Sequence, residues 1–249
     1  MSNTVRFDFT GARVLVTGGT SGIGHAVASA FVGAGATVTV TGTRPGPDDY
    51  DVDLAPFSFR ALEMRDLDAI DALVADVDGL DVLVNNAGAS FPDGLDEWTP
   101  EGFTASLAMN LQGAQRLTVG LHDALAASSM AGGASVVNVV SMTSYRSTTI
   151  VPGYSSSKAA LLALSRNLAA HWVGDGIRVN AVAPGLIDTR MTAPMKDYPE
   201  VLDPELAKQM MKRMGTPDEV AAVVLFLCSD VSTFTTGAAF EVDGGWLAL

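Results

Sequence analysis

Cysteine is nearly absent from this sequence, since Cys228 is the only one among 249 residues. A single cysteine excludes an intramolecular disulfide, and this predicts a reducing, cytoplasmic setting. The residues directly before it, 223–227, are apolar. We therefore expect Cys228 to be a small core residue rather than a reactive thiol.

Basic residues and long hydrophobic runs are also scarce. The chain carries 15 lysines and arginines against 28 aspartates and glutamates, which gives a net charge of -13 at pH 7. Such a charge repels nucleic acid and anionic membrane surfaces, so neither is an expected partner. No apolar run approaches the ~20 residues that span a bilayer, and residues 1–10 do not have the pattern of a signal peptide. Apolar residues as a class are abundant, at 48% of the chain, and they suffice for a large core.

Short strand-like runs alternate with helical patterns along the whole chain. Residues 13–17 form a mostly β-branched run that stops at glycines, residues 22–32 have helical periodicity, and residues 37–41 form a second strand. Such a unit has a right-handed crossover, which makes its two strands parallel. The other predicted strands are 59–64, 80–84, 135–140, 177–182 and 238–242, and the other predicted helices are 67–77, 100–127, 153–172 and 217–227. The pattern predicts an α/β fold in one domain over residues 1–249: a doubly wound, seven-stranded parallel sheet with helices on both faces.

Two segments depart from this alternation. Residues 42–57 contain prolines and aspartates without helical periodicity, so a loop is expected in place of the helix between the second and third strands. That loop is either a tolerated deletion or an altered rim around the adenosine end of a nucleotide. Residues 186–215 are polar, rich in methionine and broken by prolines, and we expect them to form a mobile lid with short helices.

The first strand ends in a glycine-rich stretch, Thr17-Gly18-Gly19-Thr20-Ser21-Gly22-Ile23-Gly24. A turn from a strand into a helix brings backbone N–H groups close to a phosphate only where no Cβ atoms obstruct the approach. Three of its glycines suit that role, with the Ser21 hydroxyl and the helix N-terminus as further donors. The stretch predicts a pyrophosphate-binding turn, and the alternative is an ordinary tight turn.

Tyr154 and Lys158 lie one helical turn apart in a predicted helix. Tyrosine is a poor acid at neutral pH because its pKa is about 10, and a lysine ammonium on the same face lowers that pKa by stabilising the phenolate. Ser141 lies thirteen residues before Tyr154 and offers a second hydroxyl, with Thr143 and Ser144 as alternatives. Two hydroxyls converging on a carbonyl oxygen, with a cation behind one of them, meet the needs of hydride transfer to a carbonyl.

These motifs together resemble the short-chain dehydrogenase/reductase family, in its single-domain group of roughly this length. The residues that carry the resemblance are Thr17-Gly-x-x-x-Gly-x-Gly24, Asn85-Asn-Ala-Gly88, Asn110, Ser141, Tyr154-x-x-x-Lys158, Pro184-Gly185 and Asp243-Gly244-Gly245. The enoyl reductase branch places its tyrosine and lysine further apart, which disfavours that branch. The resemblance implies a Rossmann fold and an NAD(P)-dependent oxidoreductase that moves a hydride between the nicotinamide and an uncharged ketone or secondary alcohol. A different class of function is a non-catalytic, dinucleotide-sensing regulator on the same fold.

The resemblance also implies a role for each motif residue. Tyr154 is the expected general acid and base, Lys158 lowers its pKa and binds the nicotinamide ribose, and Ser141 polarises the substrate oxygen. Asn110 is expected to hold a water that connects Lys158 to solvent, although it could instead bridge backbone groups inside a helix. The implied cofactor contacts are Gly18, Ser21, Gly22, Ile23, Gly24, Thr43, Arg44, Glu63, Met64, Asn85, Ala87, Gly88, Tyr154, Lys158, Pro184, Gly185, Ile187 and Thr189. No metal is implied.

The end of the second strand bears on the choice between NADP(H) and NAD(H). Members of the family that prefer NAD place an acid where this chain has Gly42, and Arg44 follows two residues later. A guanidinium without a competing carboxylate favours NADP(H), with NAD(H) as the alternative. The chain departs from the family pattern at Thr43, which stands where the family's basic residue usually lies, and the aspartates of residues 48–53 offset the charge of Arg44.

The substrate pocket is expected between the lid, the loop after Gly88 and residues 142–150. Its predicted lining is Ser141, Phe91, Met142, Tyr154, Met191 and Met195. Because the methionines and Phe91 are apolar, an uncharged substrate is predicted. The resemblance also suggests a homotetramer, or a homodimer, built on helices 100–127 and 153–172 and the last strand.

Overall fold

Seven parallel strands form the centre of the computed structural model, which describes residues 4–249. The strands are β1 (Arg13–Val16), β2 (Thr37–Gly42), β3 (Ser58–Ala61), β4 (Val82–Asn85), β5 (Ala134–Val139), β6 (Ile177–Pro184) and β7 (Ala239–Val242). Their order across the sheet is β3-β2-β1-β4-β5-β6-β7, and every neighbouring pair is parallel. The predicted doubly wound sheet is confirmed. The chain order reverses between β1 and β4, which places the ligand crevice of such sheets outside their carboxyl ends.

Helices cover both faces of the sheet, as predicted. They are α1 (Gly22–Gly33), α2 (Leu67–Ala75), α3 (Pro100–Leu107), α4 (Gly113–Gly120), α5 (His122–Ala126), α6 (Pro152–Trp172), α7 (Pro199–Ala207) and α8 (Pro217–Cys228). One core packs α1 and α8 against the sheet, and the other packs α2, α4 and α6 against its opposite face. Cys228 is fully buried in the first core, and burial raises the pKa of its thiol to about 12, as expected of a core residue.

Successive residues of the central strands supply both cores. In β1 the side chains of Val14 and Val16 lie in the α1/α8 core, whereas Leu15 lies in the core on the other face. This alternation is the period of two that a strand imposes. Because both faces are covered, every residue of β4, β5 and β6 is buried. Among residues 4–249, none of the helices combines the length and the apolar character needed to cross a bilayer.

The predicted continuous helix over residues 100–127 is wrong in detail. It begins as predicted, with the Thr99 side chain accepting a hydrogen bond from the Gly102 N–H. A π-helical turn, Ala108–Gln112, then separates α3 from α4, and a non-helical Leu121 separates α4 from α5. The physical reason for the first break lies at Asn110, whose side chain donates to the Ser106 carbonyl four residues earlier. That carbonyl is the one that an α-helix reserves for the backbone N–H of residue 110.

The two irregular segments have the expected secondary structure. Between β2 and β3 the chain forms only a short 3-10 turn, Pro47–Asp49, in place of a helix. The segment 186–215 contains a 3-10 turn, Ala193–Asp197, and the short helix α7. It then leads into α8, whose start is held by reciprocal bonds between Thr216 and Glu219.

Candidate active site

A cavity of about 570 Å³ lies along the carboxyl ends of the strands, a size typical of ligand sites. The turns after β1, β2, β3, β4, β5 and β6 all contribute to its wall. The predicted cofactor residues that line it are Gly18, Ser21, Gly22, Ile23, Thr43, Arg44, Glu63, Met64, Ala87, Gly88, Tyr154, Lys158, Pro184, Gly185, Ile187 and Thr189. Residues far apart in sequence are therefore brought together at one edge of the sheet.

Two predicted cofactor residues, Gly24 and Asn85, do not line the cavity but support its floor. A Cβ atom on Gly24 would collide with the Gly18 carbonyl oxygen and with the Asn86 side chain, so only glycine permits this close packing of the turn. The Asn85 side-chain amide donates to Thr118 Oγ1 at 2.7 Å and to Asn138 Oδ1 at 2.8 Å. These bonds fix the end of β4, beside which Ala87 and Gly88 reach the cavity.

The N-terminus of α1 is open toward the cavity. Ser21 is the N-cap residue, and its side chain makes no capping hydrogen bond. The first turn of α1 carries no acidic residue, while Gly22 and Ile23 line the cavity. Free backbone N–H groups and the positive end of the helix dipole favour an anion at this position. The geometry therefore fits a dinucleotide pyrophosphate.

Lys158 and Tyr154 lie on the same face of α6, at the opposite end of the cavity. Lys158 is only 2% exposed, and its Nζ donates a hydrogen bond to the Val139 carbonyl oxygen at 2.8 Å. The same Nζ lies 5.7 Å from the centroid of the Tyr154 ring. Burial lowers the pKa of its ammonium to about 8. Below that pH the residue is a cation beside the phenol, and its remaining N–H groups are free to bind hydroxyl oxygens.

The phenol of Tyr154 is subject to opposing influences. Burial is the largest of them and raises its pKa, a hydrogen bond with Ser141 lowers it, and the negative charge of Glu97 raises it. Ser141 Oγ accepts hydrogen bonds from Thr143 N at 3.1 Å and Thr143 Oγ1 at 3.0 Å. Both lone pairs of Ser141 are thus engaged, so its own proton is the one available to Tyr154 or to a ligand.

Asn110 lies behind the cavity wall and binds backbone groups. Its Oδ1 accepts from Ala89 N at 2.9 Å, and its Nδ2 donates to the carbonyl oxygens of Ala89 at 2.9 Å and Ser106 at 3.0 Å. This is the backbone-bridging role that the sequence left open. Gly88 separates Asn110 from Lys158: a Cβ atom on Gly88 would lie 2.6 Å from Asn110 Oδ1 and 3.1 Å from Lys158 Nζ.

The predicted substrate residues are divided between the cavity wall and other positions. Met191 lines the cavity together with Ser141 and Tyr154. Phe91, Met142 and Met195 do not belong to its lining, and Phe91 is 41% exposed in a left-handed backbone conformation. The apolar character expected of the pocket therefore rests on fewer side chains than the sequence suggested.

Several residues that the sequence did not single out also belong to the site. Tyr50 and Arg190 line the cavity, and Glu97 lies buried next to the N-terminus of α6. The Tyr50 hydroxyl accepts from Arg44 N at 2.7 Å, and the Arg44 guanidinium lies 5.1 Å from the Tyr50 ring centroid and donates to the Asp49 carbonyl oxygen. No local pattern identifies these residues, because loop geometry brings each of them into place.

The sequence model of one protein family, described as enoyl-(acyl carrier protein) reductase, matches residues 18–247. The galactitol 2-dehydrogenase (L-tagatose-forming) of Cereibacter sphaeroides is 34% identical over 96% of this chain and 96% of its own length. The cis-4-hydroxycyclohexanecarboxylate dehydrogenase of Sinomonas cyclohexanicum is 36% identical over 94% of this chain and 96% of its own. The Pseudomonas aeruginosa RhlG/NADP active-site complex superposes with a TM-score of 0.86 at 30% identity, covering 96% of this chain and 99% of that one.

Proposed function

The chain belongs to the short-chain dehydrogenase/reductase family and is an NAD(P)-dependent oxidoreductase, and from that premise we propose that Tyr154 is its general acid and base in the interconversion of an uncharged ketone and a secondary alcohol. The observation that carries the proposal is the cluster of Tyr154, Lys158 and Ser141 at one end of a cavity whose other end is an open helix N-terminus. A proton donor and an anion site along one groove suit a reaction between a dinucleotide and a small molecule.

Several features of the site fit the dinucleotide. The glycine turn and the first turn of α1 would hold its pyrophosphate, and Lys158 would bind the nicotinamide ribose. Ile187 and Thr189 also line the cavity, with Thr189 beside Gly22. Bound there, the nicotinamide supplies or accepts the hydride. Asn110 holds Ala89 and the end of α3 in place, and we propose that it also positions a water between Lys158 and solvent.

In the reducing direction the protein's own groups act on the carbonyl oxygen. Ser141 donates a hydrogen bond to this oxygen, while its lone pairs stay with Thr143. Tyr154 transfers its phenolic proton to the same oxygen as negative charge develops there. The Lys158 ammonium then stabilises the phenolate, and Tyr154 recovers its proton from solvent. In the oxidising direction the same proton transfer runs in reverse.

We propose NADP(H) as the preferred cofactor. Gly42 offers no carboxylate to repel a 2′-phosphate, and Arg44 and the Tyr50 hydroxyl lie in the cavity wall beside it. The first test is a titration with NADPH and, separately, NADH, followed by nicotinamide fluorescence. Wild type should bind NADPH more tightly, and Arg44→Ala should weaken NADPH binding about 10- to 100-fold while leaving NADH unchanged.

Arg60→Ala is the matched control for this titration, since Arg60 is exposed on the adjacent β3 but does not line the cavity. Equal loss of both nucleotides in Arg44→Ala, or tighter binding of NADH by wild type, would contradict the NADP(H) preference. Binding of neither nucleotide would contradict the proposed function as a whole.

The substrate proposal is tested with two ketones that differ by one carboxylate group on the ring. Cyclohexanone and 4-oxocyclohexanecarboxylate share a ring and a carbonyl, and a relative of this chain is named for an acid of the same skeleton. An uncharged substrate class predicts a higher kcat/KM for cyclohexanone. Tyr154→Phe should lower kcat about 100- to 10,000-fold while NADPH still binds, because only the proton donor is lost. A preference for the carboxylate would exclude the uncharged class, and an active Tyr154→Phe variant would remove Tyr154 from its role.

The setting and assembly of the enzyme are part of the proposal. We propose a cytoplasmic setting, supported by the single, buried cysteine. We also propose a homotetramer, which rests on family membership and on the exposed face of the long helix α6. The described residues contain no cluster of metal-ligating side chains, and no metal is invoked.

A further inference from the structure

Glu97 is a fully buried carboxylate in the turn just before α3. Its Oε1 accepts a hydrogen bond from Phe91 N at 2.8 Å, and its Oε2 accepts one from Tyr154 N at 2.8 Å. No cation pairs with it within salt-bridge distance among residues 4–249. Burying an acid with only backbone partners is costly, so these two bonds must be satisfied for the arrangement to persist.

The bond to Tyr154 replaces a missing helix cap. The N-cap residue of α6 is Val151, which has no side-chain acceptor, and Pro152 has no N–H to offer. Tyr154 is the third residue of α6, the position whose N–H an N-cap side chain ordinarily accepts. Glu97 supplies that acceptor from another part of the chain, and its negative charge complements the positive end of the helix.

The bond to Phe91 extends the same carboxylate to the loop on the substrate side. Phe91 and Asp93 both have left-handed backbone conformations, with φ of 49° and 55°. Non-glycine residues adopt such a conformation at a cost, and the Glu97–Phe91 bond is one of the contacts that holds the loop there. One side chain therefore links the loop that follows Gly88 to the backbone of the catalytic tyrosine.

We propose that Glu97 is a positioning residue that fixes the backbone of Tyr154 and the 91–94 loop together and places a negative charge near the Tyr154 side chain. This rests on the proposed role of Tyr154. The charged groups beside Tyr154 are Lys158 on its own helix and Glu97, while the turn after β5 contributes the neutral hydroxyl of Ser141. Glu241 and Arg166 act on Tyr145 instead.

The sign of the electrostatic effect follows from these neighbours. The Glu97 charge raises the pKa of Tyr154, so its removal lowers that pKa. In Glu97→Gln the pH at which Tyr154 ionises, followed by ultraviolet absorbance with Tyr154→Phe subtracted, should be lower than in wild type. Ketone reduction, measured with cyclohexanone and NADPH, should lose activity at a correspondingly lower pH. Because glutamine replaces one acceptor by a donor that opposes a backbone N–H, kcat should also fall, by about 10- to 100-fold.

Two further variants separate positioning from stability. Glu97→Asp keeps the charge but is one methylene shorter, so it should lower kcat while leaving the ionisation of Tyr154 close to that of wild type. Asp81→Asn is the control, because Asp81 is also a buried carboxylate that accepts from a backbone N–H, that of Arg13 at 2.8 Å, but it lies directly before β4, at the amino ends of the strands. It should lower the melting temperature without moving the Tyr154 titration.

A Glu97→Gln variant that loses stability while its Tyr154 titrates at the wild-type pH or higher would overturn the proposed role of Glu97. If Glu97→Gln does not fold, Glu97→Asp with wild-type kcat overturns the positioning role. Failure of the proposed function looks different: wild type itself would reduce no ketone, or Tyr154→Phe would remain active, while the Glu97-dependent shift in tyrosine ionisation could still be measured.

Discussion

The direction of the Ser141 hydroxyl is set by one neighbouring side chain. Thr143 donates two hydrogen bonds to Ser141 Oγ, one from its backbone N–H and one from its Oγ1 hydroxyl. The Ser141 hydroxyl is therefore free to donate to Tyr154 or to a carbonyl oxygen. A serine whose lone pairs were unoccupied could rotate and accept from Tyr154, which would raise the pKa of the phenol instead of lowering it. The orientation of the Ser141 hydroxyl therefore depends on a residue that does not line the cavity.

Thr143→Val tests this dependence, because valine keeps the shape and the backbone N–H but removes the Oγ1 donor. We expect kcat/KM for cyclohexanone to fall about threefold to tenfold, the value of one ordinary hydrogen bond, with NADPH affinity unchanged. The control is Ser144→Ala, whose buried hydroxyl has no hydrogen-bond partner among the described residues. If Thr143→Val turns over like Ser144→Ala, Thr143 does not orient Ser141.

Some residues of the site could be predicted from short spacings in the sequence, whereas others depend on contacts between distant parts of the chain. Ser141, Tyr154 and Lys158 could be found in the sequence because a short spacing on one strand end and one helix face brings them together. Glu97 could not, since Asp96-Glu97-Trp98 has the pattern of a solvated turn and both flanking side chains are exposed. Its function depends on a backbone N–H 57 residues away, and contacts of that kind arise only from the packing of α3 against α6.

At the scale of the elements, α6 organises the catalytic end of the site. It presents Tyr154 and Lys158 one turn apart, and the Lys158 side chain reaches across to the carbonyl at the end of β5. The helix itself could be predicted from its periodicity, and the strands from their β-branched runs between glycines. These signals are local, which is why the order of the elements was predictable and their bounds shifted by only a few residues.

The break between α3 and α4 had no such local signal. Apolar periodicity continues through residues 100–127, and a single asparagine is tolerated in many helices. The π-helical turn exists because Asn110 donates to Ser106 while also binding both backbone groups of Ala89. A tertiary contact of this kind cannot be predicted from periodicity. The contact through Asn110 connects the loop after β4 to α3, and Lys158 lies on the other side of Gly88.

At the scale of the whole molecule, the exposed apolar side chains bear on the proposed assembly. Leu161 and Leu162 on α6 are 2% and 5% exposed and pack toward the sheet, so they are not available to another subunit. The outward side of α6 instead carries small and polar residues, among them Ala163 and Ala170, which allow close approach of a second helix. Phe234, just before β7, is fully exposed.

We predict that the protein is a homotetramer and that Phe234 lies in one of its interfaces. Light scattering of wild type should give four times the 25.8 kDa chain mass, and Phe234→Asp should lower that mass by placing a charge in an apolar contact. The added charge acts on a chain that is already at -13, so self-repulsion works in the same direction. Val5→Asp is the control, because Val5 is 71% exposed and lies outside the proposed faces, yet the variant carries the same additional charge. A monomeric mass for wild type would contradict the predicted homotetramer. An equal loss of mass in both variants would show that the added negative charge, and not the position of Phe234, causes dissociation.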